Sequence, residues 1–446
     1  MSLTLLETYF DCHAHTTYSN LRLLDSINRP KELINRAIEL GLEGISITDH
    51  EALCAHMAVN KYAKELKEKY PNFRIALGNE IYLTDTRENG QKYYHFILLA
   101  KDEIGYKALK ELSSIAWYNL YTDRRMERVP TLKTELSEVM SRYKGHVVAT
   151  TACMGGELST NLYGMATAQV AGDNQMAKYY YDNACQFIDY CIQTFGKDDF
   201  YIECAPSTKP DQIITNRKLI AVARTYGLNM VVGTDAHYLK KEDRYVHKSY
   251  LNSKGGEREV DDFYEFTYLQ SPREVREHLR AALTDEEIDW IFTCSLELKD
   301  KIDFYSLERH QSIPEVEVKD YPEMGYLKFL GGVFDGYNDQ LDAFQEDYPL
   351  LIELFDSENK QERYWINQCF EALIDKGIGL DKRYLDRLNE EARVKKVIGE
   401  KLQTCMFAYP NTLQHYIDLF WRCGSTVGAG RGSACSGLNH YLLGIT

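Results

Sequence analysis

Residues 30–50 read PKELINRAIELGLEGISITDH. Pro30 suits the first helical position, apolar residues follow at helical spacing, and Gly41 suits the C-terminal cap, so the spacing predicts a helix over 30–41. The next stretch, EGISITDH (43–50), predicts a short strand that ends in an aspartate and a histidine. A helix that feeds a strand with chemically active residues at its end is one unit of an α/β fold. The same unit recurs along the chain.

Six further strands are predicted: ETYFDCHAH (7–15), FRIALGNEIYL (73–83), YYHFILLA (93–100), HVVATTAC (146–153), DFYIECAP (199–206) and NMVVGTDAH (229–237). Amphipathic runs such as AVNKYAKELKEKY, ALKELSSIAWYNLY, TELSEVMSRYKG and NRKLIAVARTYG lie between most of them. Repeated strand–helix alternation predicts a parallel sheet, and seven strands suggest a barrel. His15, His50, Glu80, Cys153, Asp235 and His237 fall at or just past carboxyl ends of strands, the rim on which parallel α/β barrels build active sites. His13 and His15, in FDCHAHTTYSN (10–20), alternate on their strand and therefore project together.

The 446 residues carry 44% hydrophobic and 27% charged residues, a composition able to bury a large core in two or three domains. No apolar run approaches the ~20 residues of a membrane helix, and the first residues lack a signal peptide's basic flank, so a cytoplasmic protein without membrane contact is expected. Eleven cysteines without a C-x-x-C pair point to reduced thiols. A net charge of −15 excludes a protein that simply coats nucleic acid through a basic field. Contact with DNA would have to be local, aided by metal, or made by parts outside this chain.

After about Tyr250 the alternation fades. SPREVREHLRAALTDEEIDWIFTCSLELKDKI (271–302) predicts helix, with Ser271 and Glu274 as a capping box. Residues 313–356, rich in Pro, Gly, Tyr and acids, predict an irregular connection, and 361–423 are again helical. The expected domains are 1–270, 271–360 and 361–446.

His13, His15, Asp25, His50, Glu80, His95, Cys153, Asp235 and His237 form a candidate ligand set. Imidazoles and carboxylates with one thiolate suit zinc, manganese or iron better than magnesium. Nine donors exceed one ion, so two or three divalent transition metals are expected. Neighbouring divalent ions activate water near neutral pH and hold the attacking and leaving oxygens of phosphoryl transfer, so phosphoester hydrolysis is the favoured chemistry. Asp11 and Asp49, each near a ligand, would orient imidazoles, and Glu203 is a further outer candidate. Taken singly, His95 also reads as a satisfied core histidine, Cys153 as a small buried thiol and Asp25 as a helix cap.

The order HAH, ITDH, GNE, YYHF, GTDAH resembles the PHP (polymerase and histidinol phosphatase) family of metal-dependent phosphoesterases. From about Tyr9 to Thr446 the chain also resembles the N-terminal part of bacterial DNA polymerase III alpha subunits, the C-family replicases. ELGLEGISITDHEALCAH, LLAKDEIGYKALKELSS, LIAVARTYGLNMVVGTDAHYLKKED and the closing GAGRGSACSGLNHYLLGIT carry that likeness. The resemblance implies a distorted seven-stranded α/β PHP barrel with a trinuclear site, followed by a mostly helical region that opens the polymerase palm. It implies that the nine residues are ligands, with Cys153 where some relatives have histidine. His13, His15, His50, Asp235 and His237 are expected to carry catalysis.

GAGRGSACSG (428–437) reads either as a plain glycine-rich turn or as one whose amides, with Arg431, cradle phosphate. The replicase resemblance implies the second, with Gly430, Arg431, Gly432, Ser433 and Ser436 gripping a nucleotide's triphosphate. It also places the polymerase's magnesium-binding acids beyond Thr446, so polymerisation is not expected from this chain alone. The expected function is that of the N-terminal part of a replicase, with DNA, nucleotides and other replisome subunits as partners and a 3′–5′ exonuclease or pyrophosphatase in its barrel. A stand-alone phosphoesterase for a small phosphorylated metabolite and a metal-braced scaffold remain the alternatives.

Overall fold

The computed structural model describes residues 6–21, 24–123, 126–253, 263–321, 344–378 and 381–446. Two compact units divide it, Met1–Glu308 and Arg309–Thr446. Part of the irregular connection expected over 313–356, residues 322–343, lies outside the described residues.

The first unit is built on seven strands in the order β1 (Phe10–Asp11), β2 (Gly44–Ile47), β3 (Arg74–Thr84), β4 (Tyr94–Ala100), β8 (Val147–Thr150), β9 (Phe200–Cys204) and β10 (Met230–Val232). A small hairpin, β5 (Tyr121–Asp123) and β6 (Met126–Arg128), stands apart, and β7 (Thr131–Leu132) pairs with the end of β3. The first and last strands meet as well. Cys12 N–H donates to the Val232 carbonyl at 3.1 Å and His15 N–H to the Ala236 carbonyl at 3.0 Å, so the sheet curls into a nearly closed barrel.

All seven predicted strands are present, but the sheet is not wholly parallel. Strand β4 runs antiparallel to both β3 and β8. The reason is the short link over 85–93, which cannot hold the dozen or more residues of a helical crossover. Strand β3 serves two partners in turn. Arg74–Leu77 pair in parallel with β2, and Gly78–Leu83 pair in antiparallel with β4. Glu80 therefore sits in the middle of a long strand, not at its end.

Helices α1 (Pro30–Glu39), α2 (His56–Leu66), α3 (Glu103–Tyr118), α4 (Lys133–Arg142), α5 (Glu157–Val170), α6 (Asn174–Phe195) and α7 (Pro210–Tyr226) accompany the strands. Pro30 does open α1, and Gly41 follows it with φ +76°. The α5–α6 pair between β8 and β9 has no counterpart among the helical runs named from the sequence. Helices α8 (Arg244–Leu251), α9 (Pro272–Leu279) and α10 (Asp285–Asp300) complete the unit, and Ser271 caps α9 with Glu274 as expected. Helices α9 and α10, assigned from the sequence to the connection, belong to this unit.

Alternation along the strands separates two apolar sets. Phe96, Leu98, Ala100, Val147, Ala149, Phe200 and Ile202 belong to the large core shared with the helices, and Phe96 meets Phe187 and Phe195 of α6. Phe10, Ala76, Ile97, Leu99, Val148, Tyr201 and Val231 form a second set on the opposite face, inside the barrel, with Leu298 of α10 and Ile302 against it. Further along the same inner face come His95, Glu80, Thr150 and Glu203. The barrel interior is thus apolar at one end and polar at the other.

The second unit is helical, with Pro349–Phe355, Lys360–Asp375, Lys382–Leu402, Ala408–Arg422 and Leu438–Leu442 packed around Trp365, Phe370 and Phe407. All eleven cysteines are free, and no helix among the described residues is long and apolar enough to cross a membrane.

Gly44 marks a tight seam between strands, because a Cβ there would meet the Arg74 carbonyl and the Phe10 ring. Gly44→Ala is expected to lower stability by about 1–3 kcal/mol through overpacking. Denaturant unfolding checks this, and an unchanged midpoint would refute the seam.

Candidate metal centre

The polar end of the barrel gathers the nine residues singled out from the sequence into three groups: His15, Asp25, His50 and His237; His13, His15 and Asp235; Glu80, His95 and Cys153. Within each group one ligand atom per residue lies within 4.8 Å of the others. Strand β4 shows how the barrel achieves this. Because it runs backwards, His95 near its amino end reaches the same rim as residues at the carboxyl ends of the parallel strands.

Asp25 comes from a loop rather than a strand. Asn20 Oδ1 accepts from the Asp25 and Ser26 N–H groups at 2.7 and 2.9 Å, curling the chain back on itself. Ser26 Oγ and Asn28 Nδ2 then tie the loop to the carbonyls of His15, Ala236 and His237. The result brings Asp25 Oδ2 within 2.9 Å of His50 Nε2 and 2.8 Å of His237 Nε2.

Hydrogen bonds behind the imidazoles select their tautomers. His13 Nδ1–H donates to Glu203 Oε1 at 2.7 Å, His15 Nδ1–H to Ser19 Oγ at 3.0 Å, and His237 Nδ1–H to the Asp235 carbonyl at 2.6 Å. In each case the Nε2 lone pair is left facing the cluster. His13 Nε2 and His15 Nε2 then approach to 3.0 Å, with Asp235 Oδ1 at 3.3 and 3.1 Å from them. Glu80 Oε2 lies 2.6 Å from His50 Nδ1 and Oε1 lies 2.7 Å from His95 Nδ1, yet neither oxygen makes a hydrogen bond of acceptable geometry. Buried lone pairs aimed at one another repel unless a cation stands among them. The donor set therefore fits divalent metal, and its mixture of nitrogen, oxygen and sulfur suits a transition ion.

The electrostatics divide: burial opposes charge on His13, His50 and His237, yet the anionic groups beside them raise all three, so metal would have to displace their protons. Burial, with His50 and His237 nearby, pushes the pKa of His15 down to about 3, so the ring is neutral as a ligand must be. Burial opposes ionisation of Glu80 and Asp25. The histidines around each nevertheless hold both carboxyls well below their ordinary range. Cys153 is pushed up by burial and by Asp235 and Glu80, so its proton leaves only when a cation takes its place.

The outer partners differ in part from expectation. Asp49 reaches His15 through Ser19, whose hydroxyl donates to Asp49 Oδ1 at 2.8 Å. Asp11 orients no ring. It accepts from the N–H groups of His13 and Thr234 and from the Thr234 hydroxyl, and so holds backbone. Glu203 takes the role expected of Asp11, and Gly233 leaves room for it, since a Cβ there would meet the Glu203 carboxyl. Two residues went unnoticed in the sequence. Tyr264 donates its hydroxyl to Asp25 Oδ1 at 2.9 Å and His247 Nε2–H donates to the Asp25 carbonyl at 2.6 Å. Their only signal is proximity in space.

Three rim residues other than glycine hold left-handed backbone: Glu51 (φ 51°) after His50, Ala152 (φ 57°) before Cys153, and Asp235 itself (φ 51°). Each such conformation costs of order 1–3 kcal/mol and persists where surrounding structure imposes it. Strain is thus concentrated where chain direction must change to aim a ligand.

In the second unit the glycine-rich turn is exposed. Gly430 and Gly432 adopt φ +93° and +77°, and Gly432–Ser436 forms a short 3-10 helix. Ser436 Oγ donates to the Ser433 carbonyl at 2.7 Å, Arg387 reaches the Ser436 carbonyl, and Arg431 is exposed.

Known proteins resemble this chain in four instances. The family described as PHP domain matches residues 11–207. A DNA-directed DNA polymerase of Bacillus phage SPbeta is 37% identical over 98% of this chain and 34% of its own length. The DNA polymerase III subunit alpha of Aquifex aeolicus is 27% identical over 97% of this chain and 33% of its own length. The chain thus spans about a third of the length of these curated relatives. Among solved structures, histidinol phosphate phosphatase from Lactococcus lactis, complexed with zinc, L-histidinol and phosphate, superposes with a TM-score of 0.27 at 12% identity, covering 55% of this chain and 94% of that one.

Glu203→Gln keeps the volume beneath His13 but loses the charge. It is expected to weaken divalent-metal affinity by about 10- to 100-fold while the protein unfolds cooperatively. Calorimetric titration with zinc or manganese reads the change; unaltered affinity would remove Glu203 from the site.

Proposed function

The chain carries a PHP domain and is homologous over nearly its whole length to DNA polymerase III alpha subunits and related DNA polymerases, and from that premise we propose that its barrel is a metal-dependent phosphoesterase serving DNA replication. Its ligands are His13, His15, Asp25, His50, Glu80, His95, Cys153, Asp235 and His237, holding two or three zinc, manganese or iron ions. The single observation that carries this reading is the convergence of bare Nε2 and carboxylate lone pairs in a buried barrel mouth. When bound, such ions polarise phosphoryl oxygens and make water nucleophilic near neutral pH.

The protein's own residues do the rest. Glu203, Ser19 with Asp49, and the Asp235 carbonyl keep His13, His15 and His237 in the tautomer that presents Nε2. Tyr264 and Asn20 fix Asp25. The side chains of His95, 27% exposed, and His50, 15% exposed, lie on the open side of an otherwise buried cluster, so a phosphoester approaches past them. His13, His15, His50, Asp235 and His237 would carry the catalysis, and the proposed substrates are a DNA 3′ end or pyrophosphate.

The second unit is proposed to open the polymerase palm. Gly430, Arg431, Gly432, Ser433 and Ser436 would hold a nucleotide's triphosphate there, beside magnesium bound by residues of the longer protein. The exposed Arg431 and the two left-handed glycines support that role. In this reading DNA, nucleotides and other replisome subunits are the partners, in the cytoplasm.

His13→Ala combined with His15→Ala is expected to abolish phosphodiester cleavage, a loss of at least about 10³-fold, and to leave a folded protein. The assay pairs single-stranded DNA and pyrophosphate with a panel of phosphomonoesters, in manganese or zinc. Full activity in the double variant would end the enzymatic reading, and cleavage confined to monoesters would end the replicative one.

A further inference from the structure

His13, His15 and His237 each have a hydrogen bond behind the ring that fixes which nitrogen faces the cluster. His50 is held differently. Its Nε2 lies 2.9 Å from Asp25 Oδ2 and its Nδ1 2.6 Å from Glu80 Oε2, so both ring nitrogens face carboxylates of the cluster. Among the described residues neither nitrogen has an outer hydrogen-bond partner, so the backbone must set the direction of this ring.

That backbone is strained. Glu51, the next residue, is buried and holds φ 51°, a left-handed conformation that persists only where neighbours impose it. Three hydrogen bonds fix the peptide groups on the near side of the turn. His50 N–H donates to Ser19 Oγ at 3.2 Å, Glu51 N–H to the Glu80 carbonyl at 2.9 Å, and Glu80 N–H to the Asp49 carbonyl at 3.3 Å. A fourth fixes the far side, where Trp117 Nε1–H donates to the Glu51 carbonyl at 2.7 Å. A buried carbonyl needs such a donor.

Trp117 comes from outside the barrel. It lies in the last turn of α3, a helix already anchored by Ala108, Leu109, Leu112 and Ala116. Among the described residues it joins neither apolar set of the barrel unit, although tryptophan brings a large apolar surface to any core. Core packing therefore does not account for this half-buried indole. Its N–H bond to the residue after His50 does.

We propose that Trp117 is a positioning residue for His50: its N–H bond to Glu51 holds the left-handed turn that aims the imidazole between Asp25 and Glu80. The proposal rests on the metal-centre reading given above.

Trp117→Phe keeps an aromatic ring and loses the donor, and Trp117→Leu is a second variant without it. Calorimetric titration of the chain with manganese is expected to show about tenfold weaker binding in both. Tyr118→Phe, at the exposed neighbouring position, is expected to match the unaltered chain. His50→Ala completes a double-variant cycle. Because Trp117 acts through His50, Trp117→Phe is expected to leave the affinity of the His50→Ala chain unchanged. Undiminished affinity in both Trp117 variants, or equal weakening with and without His50, would overturn the proposal. Histidine side-chain NMR of the metal-free chain separates it from the metal reading. The His50 ring resonance, identified by its loss in His50→Ala, is expected to move in Trp117→Phe. A chain that takes up no manganese ends the metal reading, and an unmoved His50 resonance ends the positioning role whether or not manganese binds.

Discussion

Lone pairs converging inside a protein are the constraint on which this barrel is built. His13 Nε2, His15 Nε2 and Asp235 Oδ1 crowd together at separations of 3.0 to 3.3 Å, and both oxygens of buried Glu80 face ring nitrogens without forming hydrogen bonds. Such an arrangement is unfavourable by itself, since buried charges and lone pairs need a partner of opposite sign. Divalent cations provide one. The fold therefore does more than carry the site: it holds together groups that would otherwise move apart.

Two features supply the holding force. One is the division of the barrel interior, where Phe10, Ala76, Ile97, Leu99, Val148, Tyr201 and Val231 fill one end and leave the other to Glu80, His95, Thr150 and Glu203. Burial of each large apolar side chain contributes roughly 1.5–3 kcal/mol, enough in sum to offset strain at the rim. The other is hydrogen bonding behind the ligands. Glu203, Ser19, Asp49 and Tyr264 touch no cluster centre, yet they decide which nitrogen or oxygen points inward.

The backward strand β4 has a chemical consequence. In an all-parallel barrel, a histidine near the start of a strand would lie at the far end from the carboxyl rim. Reversal of β4 between β3 and β8 brings His95 to Glu80 and Cys153 and completes the third candidate group. A short connection, which forbids a crossover helix, is thus what adds a third group to the centre.

Much of this was legible in the sequence. Pro30 and Gly41 announce a helix, seven apolar runs announce seven strands, and the residue types in HAH, TDH, GNE and GTDAH mark out candidate metal donors, because helix punctuation, strand periodicity and donor atoms are local properties. The direction of β4 was implicit in the brevity of residues 85–93 but was hidden by the overall alternation. Tertiary structure alone decided the rest. It made Glu203 rather than Asp11 the partner of the His13 ring, brought Tyr264 and His247 to Asp25, placed Phe263 and Tyr163 in one cleft and left Asp49 to act through Ser19. These pairings join residues far apart along the chain, and a one-dimensional pattern carries no distance between them until the barrel closes and sets which side chains share its mouth.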